Sequence, residues 1–334
     1  TVDNCTSIET IDLRNGNNTA MSTSEFEAEG VPNLTCINVD DAAYSVANWT
    51  NVDNSSVFAE HCNETYILDP AFEDYLETHD ADGNAVTVGA SNSMGNGIAN
   101  DNYVTTANIS AVTGLTLINT TISNFTGLED FQSLTSLLIV GGTTPVTTVD
   151  LTNNSNLETI FINSSIFTNL NINGLTNLIE INLTGTNVSS LDVSTNTAIE
   201  TLRVQNTPIN SLDLSNTTNL QTLDLRNNSN IINLFINDSD IRTVDIRNGN
   251  NTVLIGATFN AVNTPNLTCV AVDDIAFATS SWTNISDSAV FRALGCDETY
   301  VPDGDFEAFL ESNGMGNGIS NDDAVTTANI SSVT

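Results

Sequence analysis

A chain of 334 residues with 41 acidic side chains against 6 basic ones carries a formal charge of -35, which excludes nucleic acid and anionic membranes as partners and suits a salty extracellular setting. All the basic residues are arginine. An apolar content of 40% excludes disorder, while no apolar run reaches the roughly 18 residues of a membrane-spanning helix.

In chain order, residues 1–30 contain Asp12-Leu-Arg-Asn-Gly-Asn-Asn18, which returns 233 residues later as Asp245-Ile-Arg-Asn-Gly-Asn-Asn251. Residues 31–66 hold Cys36 and Cys62, with Asp40 or Asp41 placed to cap a short helix over residues 42–46 and Trp49 available to cover the adjoining core. The segment recurs at residues 253–298, where Cys269 and Cys296 take the matching places. The spacing predicts disulfides Cys36–Cys62 and Cys269–Cys296, each worth roughly 3 kcal/mol by restricting the unfolded chain, and each at home only in an oxidising compartment. No CxxC or His pair accompanies these thiols, so zinc is disfavoured. Cys5 has no counterpart and reads as a small buried side chain, with an intermolecular bridge as the alternative.

Residues 67–103 begin with Asp69-Pro-Ala-Phe72-Glu-Asp-Tyr75-Leu76. Aspartate at the N-cap and proline at the first helical position predict a helix with Phe72, Tyr75 and Leu76 on one face. Its equivalent, Asp303 to Leu310, lies in residues 299–334. Both read as lids under which a further repeat array begins. The match between copies continues from Val104-Thr-Thr-Ala-Asn-Ile-Ser110 to Val325–Ser331 at a shift of 221, because the first copy carries about 13 extra residues around 80–93. This arrangement predicts further modules on both sides.

Residues 104–252 carry a shorter period. Apolar-x-apolar triplets start at Leu115, Leu137, Ile160, Ile181, Leu202, Leu223 and Val244, with a step of 21 residues from Ile160 onward. A second ladder interleaves at Val149, Leu170, Leu191, Leu212 and Leu234, so each coil is expected to carry two short strands. A third inward position precedes the strand at Leu157, Leu178, Ile199 and Leu220. No single coil closes a core, whereas stacked coils do.

Ile199-Glu-Thr-Leu202-Arg-Val204-Gln-Asn-Thr-Pro-Ile209 resembles the leucine-rich repeat, L-x-x-L-x-L-x-x-N-x-L. The fold is read as mainly β, a leucine-rich-repeat solenoid of about 21-residue coils joined by small disulfide-closed caps with short α-helices. Residues 1–30 would end one solenoid, 31–66 form its cap, 67–103 the helical lid and loop, 104–252 the next solenoid, 253–298 its cap, and 299–334 the lid and start of another. The consensus asparagine is mostly replaced, by Thr120, Ser165, Thr186, Thr207 and others, so hydroxyls are expected to bond the turning backbone in its place. The phrases Thr126-Gly-Leu-Glu-Asp-Phe131, Ser190-Leu-Asp-Val-Ser194 and Pro265-Asn-Leu-Thr-Cys269 are similar to those of secreted repeat proteins of Bacteroidota. That resemblance implies type IX secretion and display on, or release from, the cell surface.

The two histidines, His61 and His79, do not recur in the second copy, and carboxylate pairs arise by chance among so many acidic residues, so catalysis is not expected. The insertion Asp80-Ala-Asp82-Gly-Asn84 reads first as a solvated loop and second as a calcium site; its spacing departs from the EF-hand, which needs glycine at the sixth place and glutamate at the twelfth. No other cofactor is implied. The outward positions of the main ladder include Leu138 and Phe161, neighbours on adjacent coils, and exposed apolar neighbours mark contact surfaces. A fold of residues 141–146 or of the lid over them is the competing reading. Phe235 poses the same question on the second ladder, and Arg203 is expected to pair locally beside Asp224.

The function read from these features is a structural repeat module of a giant extracellular surface protein, adhesive fibre or multisubunit appendage. The expected partners are adjacent modules and sister chains, without nucleic acid or membrane insertion. A second reading is a ligand-binding module of a cell-surface adhesin, taking glycan or protein on Leu138 and Phe161. A third is the non-catalytic part of a secreted enzyme.

Overall fold

The computed structural model describes residues 1–22, 25–141, 146–255, 258–317 and 323–331. The chain divides into two compact units, residues 1–80 with 85–109 and residues 81–84 with 110–334.

The second unit is built on a nine-stranded parallel sheet whose neighbours follow in chain order. The strands are Gly114–Ile118, Ser136–Val140, Thr159–Asn163, Glu180–Asn182, Thr201–Arg203, Thr222–Asp224, Thr243–Asp245, Cys269–Ala271 and Val290–Arg292. Thr159, Glu180, Thr201, Thr222 and Thr243 stand in register at steps of 21 residues, so each coil makes one circuit and returns to the same face. Central residues Leu137, Ile160, Ile181, Leu202, Leu223 and Val244 are buried, as are Leu157, Leu178, Ile199 and Leu220 before the strands. Each such side chain contributes about 1.5–3 kcal/mol, available only when coils stack. The chain is therefore a leucine-rich-repeat solenoid, and its sheet continues through the cap strands Cys269–Ala271 and Val290–Arg292.

The second ladder is less regular than expected. It forms Thr148–Asp150 with Asn169–Asn171, and separately Ser211–Asp213, Asn233–Phe235 and Phe259–Asn260. No strand forms at Leu191-Asp-Val193, although both apolar side chains are buried. Side-chain packing holds that side of the coil, while the main strand Glu180–Asn182 pairs on the other.

Turns are handled by small polar residues. Left-handed backbone follows the main strands at Asn119 (φ 53°), Gly185 (75°), Asn206 (53°) and Asn227 (61°), a conformation that glycine and asparagine tolerate and β-branched residues do not. The expected hydroxyl substitution holds at two of the four named positions, where Thr186 Oγ1 donates to the Leu183 carbonyl at 2.8 Å and Thr207 Oγ1 to the Val204 carbonyl at 3.0 Å; Thr120 Oγ1 is buried without a hydrogen-bond partner among the described residues and Ser165 is exposed. A second set lies on the other side of the coils. There Asn154 donates to the carbonyls of Leu128 and Phe131, Asn196 to those of Ile172 and Leu175, and Thr217 and Ser239 to carbonyls three residues back. These side chains are buried, and the bonds they make keep turning backbone from being left unsatisfied in the core.

In the first unit, Thr10–Asp12, Cys36–Asn38 and Val57–Ala59 form a parallel sheet over a core of Phe26, Leu34, Ile37 and Trp49. Trp49 Nε1 donates to the Met21 carbonyl at 3.3 Å, and its ring packs against Phe26 and Phe58. Both expected disulfides are present, with Cα separations of 5.8 Å for Cys36–Cys62 and 5.7 Å for Cys269–Cys296. Cys5 is a free thiol and is exposed, not buried as expected, because its coil packs on the apolar cluster through Val2 and Ile8 on either side of it.

Candidate functional site: one face of the main sheet and its ionic end

Each main strand centres on an inward residue and turns the residues on either side of it outward, so the parallel register lines up two rows along the second unit, the first of them Thr159, Glu180, Thr201, Thr222 and Thr243. The second runs Thr116, Leu138, Phe161, Asn182, Arg203, Asp224 and Asp245. The two ends differ in chemistry.

At the amino-terminal end Leu138 and Phe161 sit side by side and half-buried, as their spacing predicted. Two residues further along the strands, Ile118 pairs with Val140; Ile118 is 55% exposed and Val140 half-buried. These four side chains make a contiguous apolar patch. The competing reading, cover by residues 141–146, falls largely on residues 142–145, which lie outside the described residues. Phe235 is half-buried beside Asp213 and Asn260 on the smaller sheet, apart from this patch.

At the other end the row is ionic. Arg203 does bond locally, but to Glu180 one strand back and not to Asp224. The reason is competition: Asp224 is taken by Arg226 at 2.8 Å and by Gln205. Arg247 binds Asp245 at 2.6 Å and Glu298 at 2.9 Å, while Arg226 lies 3.8 Å from Asp245 and 3.9 Å from Glu298. Arg226 and these three carboxylates also line a polar cavity of about 170 Å³, together with Arg203, Gln205, Asp297 and Asn317, while Arg247 holds Asp245 and Glu298 from outside its wall. Burial works to raise Glu298, but hydrogen bonds from Arg247 and the Gly295 amide outweigh it and hold the carboxyl below its usual range. Asp245 goes the other way, because burial there exceeds the help from Arg247. Desolvation opposes charge on Arg247, and its carboxylate partners more than restore it.

The first unit repeats part of this cluster. Arg14 bonds Asp12 at 2.8 Å and Glu64 at 3.1 Å, the counterparts of Arg247 with Asp245 and Glu298. Here His61 joins, with Nδ1 2.7 Å from Glu64 and its ring stacked on Tyr103 at 3.5 Å. His79 stacks on Tyr75 and lies with Nδ1 2.9 Å from the Tyr75 carbonyl. The Asp-x-Arg cluster was not recognised from sequence as a site, yet a signal was there: the Asp12–Asn18 phrase and the Glu-Thr-Tyr after the second cysteine both recur.

The adjacent aspartates divide their work. Asp41 caps the helix Ala42–Asn48 through the Tyr44 amide at 2.8 Å, and Asp274 caps Ile275–Ser281 through the Phe277 amide at 2.9 Å. Asp40 instead accepts the amides of Gly16, Asn17 and Asn18, and Asp273 those of Asn248 and Gly249. Gly16 and Gly249 both have φ of 74°, so the recurring Asn-Gly-Asn-Asn phrase is a turn folded around a carboxylate. The first helix runs two residues past the predicted 46.

In the acidic insertion, His79 bridges Ala85 and Asp80 bridges Ser93 in antiparallel fashion. Among the described residues no group of three or more His, Cys, Asp or Glu side chains is placed to hold a metal ion. The calcium reading of Asp80, Asp82 and Asn84, which includes an amide donor, stays a proposal. No described helix is long and apolar enough to cross a membrane.

No protein-family model matches the chain, and no curated protein matches it. Among solved structures it is similar to the functional domain of InlJ from Listeria monocytogenes, at 20% identity over 70% of this chain and 54% of that one, with a TM-score of 0.45. It is also similar to the internalin inlF of Listeria monocytogenes, at 17% identity over 79% and 75% of the two chains, with a TM-score of 0.36. The chain spans about half the length of the first of these. The leucine-rich-repeat class is carried by the parallel sheet and its 21-residue step, not by these likenesses.

Proposed function

We propose that the chain is a structural repeat module of a long extracellular surface protein, in which solenoids are strung end to end through cap-and-lid joints. The observation that carries this reading is the recurrence of one joint, part for part. Each copy has a disulfide, an Asp–Arg–Glu ion cluster, a carboxylate-centred turn and an Asp-capped lid helix at matching positions. A terminal cap needs only to shield one edge, whereas a repeated joint has to be specified twice. The disulfides support an oxidising location, and the Bacteroidota-like phrases support type IX export and surface display. The complete open reading frame is the test: further copies of the 233-residue period are expected, and a gene with a single copy overturns the reading.

A second reading has its own observation. The patch of Leu138, Phe161, Ile118 and Val140 is apolar, with Ile118 55% exposed and the other three half-buried, on the main-sheet face of a strongly acidic protein, which supports docking of a protein or the apolar face of a glycan. Replacing Leu138 and Phe161 with serine is expected to abolish binding to cells or sister chains; unchanged binding counts against it.

A further inference from the structure

Asparagine followed by glycine is the pair most prone to lose its side-chain amide, because the glycine nitrogen carries no neighbouring side chain to hinder its approach to the asparagine Cγ. Five such pairs lie among the described residues, and their glycine amides have different partners. In three the N–H donates to a carboxylate: Gly16 to Asp40 Oδ1 at 3.0 Å, Gly97 to Glu77 Oε2 at 3.0 Å and Gly249 to Asp273 Oδ2 at 2.9 Å. Gly314 donates to the main-chain carbonyl of Glu311 at 3.2 Å. Gly174 meets a hydroxyl instead, Thr195 Oγ1 at 2.9 Å, and that same hydroxyl donates to Asn173 Oδ1 at 3.0 Å.

The partner decides the chemistry. Cyclisation needs the glycine N–H proton to leave and negative charge to be stabilised on the asparagine Oδ1. A carboxylate opposes both, since its charge disfavours an amide anion beside it and it carries no proton to pass on. In the three carboxylate-held turns the Oδ1 of Asn15, Asn96 and Asn248 is also engaged, accepting the amide two residues on at 2.8, 2.9 and 2.8 Å. A hydroxyl accepts and donates at once, so it can take one proton while giving another. Asn173, Gly174 and Thr195 are all exposed, so water reaches them. Gly174 holds φ at 82°, with nothing within 4 Å of the place a Cβ would occupy.

We propose that Asn173, Gly174 and Thr195 form a self-modification site, at which the chain converts Asn173 to isoaspartate and aspartate through a succinimide. The Gly174 nitrogen bonds to Asn173 Cγ as its proton passes to Thr195 Oγ1, and the Thr195 hydroxyl proton passes to Asn173 Oδ1. The hydroxyl ends as it began. The tetrahedral centre collapses as the Oδ1 proton moves to Nδ2, the Cγ–Nδ2 bond breaks and ammonia leaves. Water then opens the ring at either carbonyl, so the sum is one water consumed and one ammonia released. This is general acid–base catalysis by a side chain one coil away.

The position of the turn gives the reaction a structural consequence. Ile172 and Leu175 on either side are buried, and their carbonyls both accept from Asn196 Nδ2 at 2.9 Å. An isoaspartyl link puts an extra carbon into the backbone between them, so the modified coil loses the spacing that those bonds need. The site is a built-in point of ageing in the solenoid.

The test ages the folded full chain at neutral pH, maps asparagine conversion by peptide mass spectrometry, and detects isoaspartate by labelling with an isoaspartyl methyltransferase. Asn173 is expected to convert about tenfold or more faster than Asn15, Asn96 and Asn248, with similar rates at all four in the reduced chain in denaturant. Thr195→Val should slow Asn173 by about the same factor in the folded chain and leave its rate in denaturant unchanged, and Thr195→Ser should restore it. Thr195 is exposed, so both variants fold, and hydrogen exchange through Thr201–Arg203 checks this. Conversion of Asn173 no faster than that of the carboxylate-held pairs overturns the proposal. So does an unchanged or faster rate in Thr195→Val, which makes the hydroxyl a bystander or a guard, and so does a failure of Thr195→Ser to restore the rate.

Discussion

The first and second cap-and-lid copies share sequence, disulfide and capping, yet differ in how deeply their key side chains are placed. Around Arg14, Glu64 is enclosed but Asp12 is half-exposed; around Arg247, Asp245 and Glu298 are both mostly enclosed. For the lids the order reverses, since Phe72 is buried and Phe306 is open. Position within a joint therefore says what a residue can do, and its surroundings say how much energy it contributes.

The largest expected difference is at the lids. Phe72→Ala should destabilise the first unit by about 3–5 kcal/mol through loss of a fully buried ring, and Phe306→Ala the second by under about 1 kcal/mol, measured by denaturant unfolding with unit-resolved hydrogen exchange. Equal losses would break the comparison. Next come the disulfides: Cys36→Ser with Cys62→Ser, or Cys269→Ser with Cys296→Ser, should each cost roughly 3 kcal/mol, confined to the unit concerned. A reducing agent that leaves both units' melting temperatures unchanged contradicts this.

Arg247→Ala should cost about 3 kcal/mol, because it strands two enclosed carboxylates, while Arg14→Ala should cost about 1 kcal/mol. A reversed order in thermal melts would refute the depth argument.

The pH response should be smaller and of opposite sign in the two units. Glu298 is depressed in the folded state, so its stabilisation is present above its ordinary value of 4.5 and is lost as pH falls through the lower folded value. Glu73 in the first lid is raised by burial, which outweighs hydrogen bonds from neighbouring amides such as Asp101. Its contribution is present below 4.5 and is lost as pH rises through the raised value. Asp245, also raised by burial, offsets part of the Glu298 effect. Mild acidification should therefore slow exchange in the first lid before it loosens the second cluster; Glu73→Gln should flatten the first response, and an unchanged response in that variant would exclude Glu73 as its source. Smallest is calcium at the Asp80 insertion. A chelator should lower the melting temperature by a degree or two, and Asp80→Asn with Asp82→Asn should abolish that shift, whereas no chelator effect sinks the proposal.

Much of this was legible in the chain. The 21-residue step, the inward positions from Leu157 to Leu220 and both disulfides follow from periodicity and spacing, because a coil returning to one face must repeat its apolar residues at one interval. The strand expected at Leu191 was misplaced because inward leucines report burial, not backbone pairing. Cys5 was expected to be buried on residue type alone, with no periodicity to place it. Arg203 was assigned by its neighbour in the row, while its partner lies one strand back and toward the start of that strand.

Sequence by itself determined the solenoid, its period, the paired cysteines and the existence of a repeated joint, since each of these is a recurrence along the chain. Only the tertiary structure decided which carboxylate Arg247 holds, which of two adjacent aspartates caps a helix, and that Phe72 is enclosed while Phe306 is open. Those depend on what stands across space from a residue, and two copies of one sequence need not have the same neighbours.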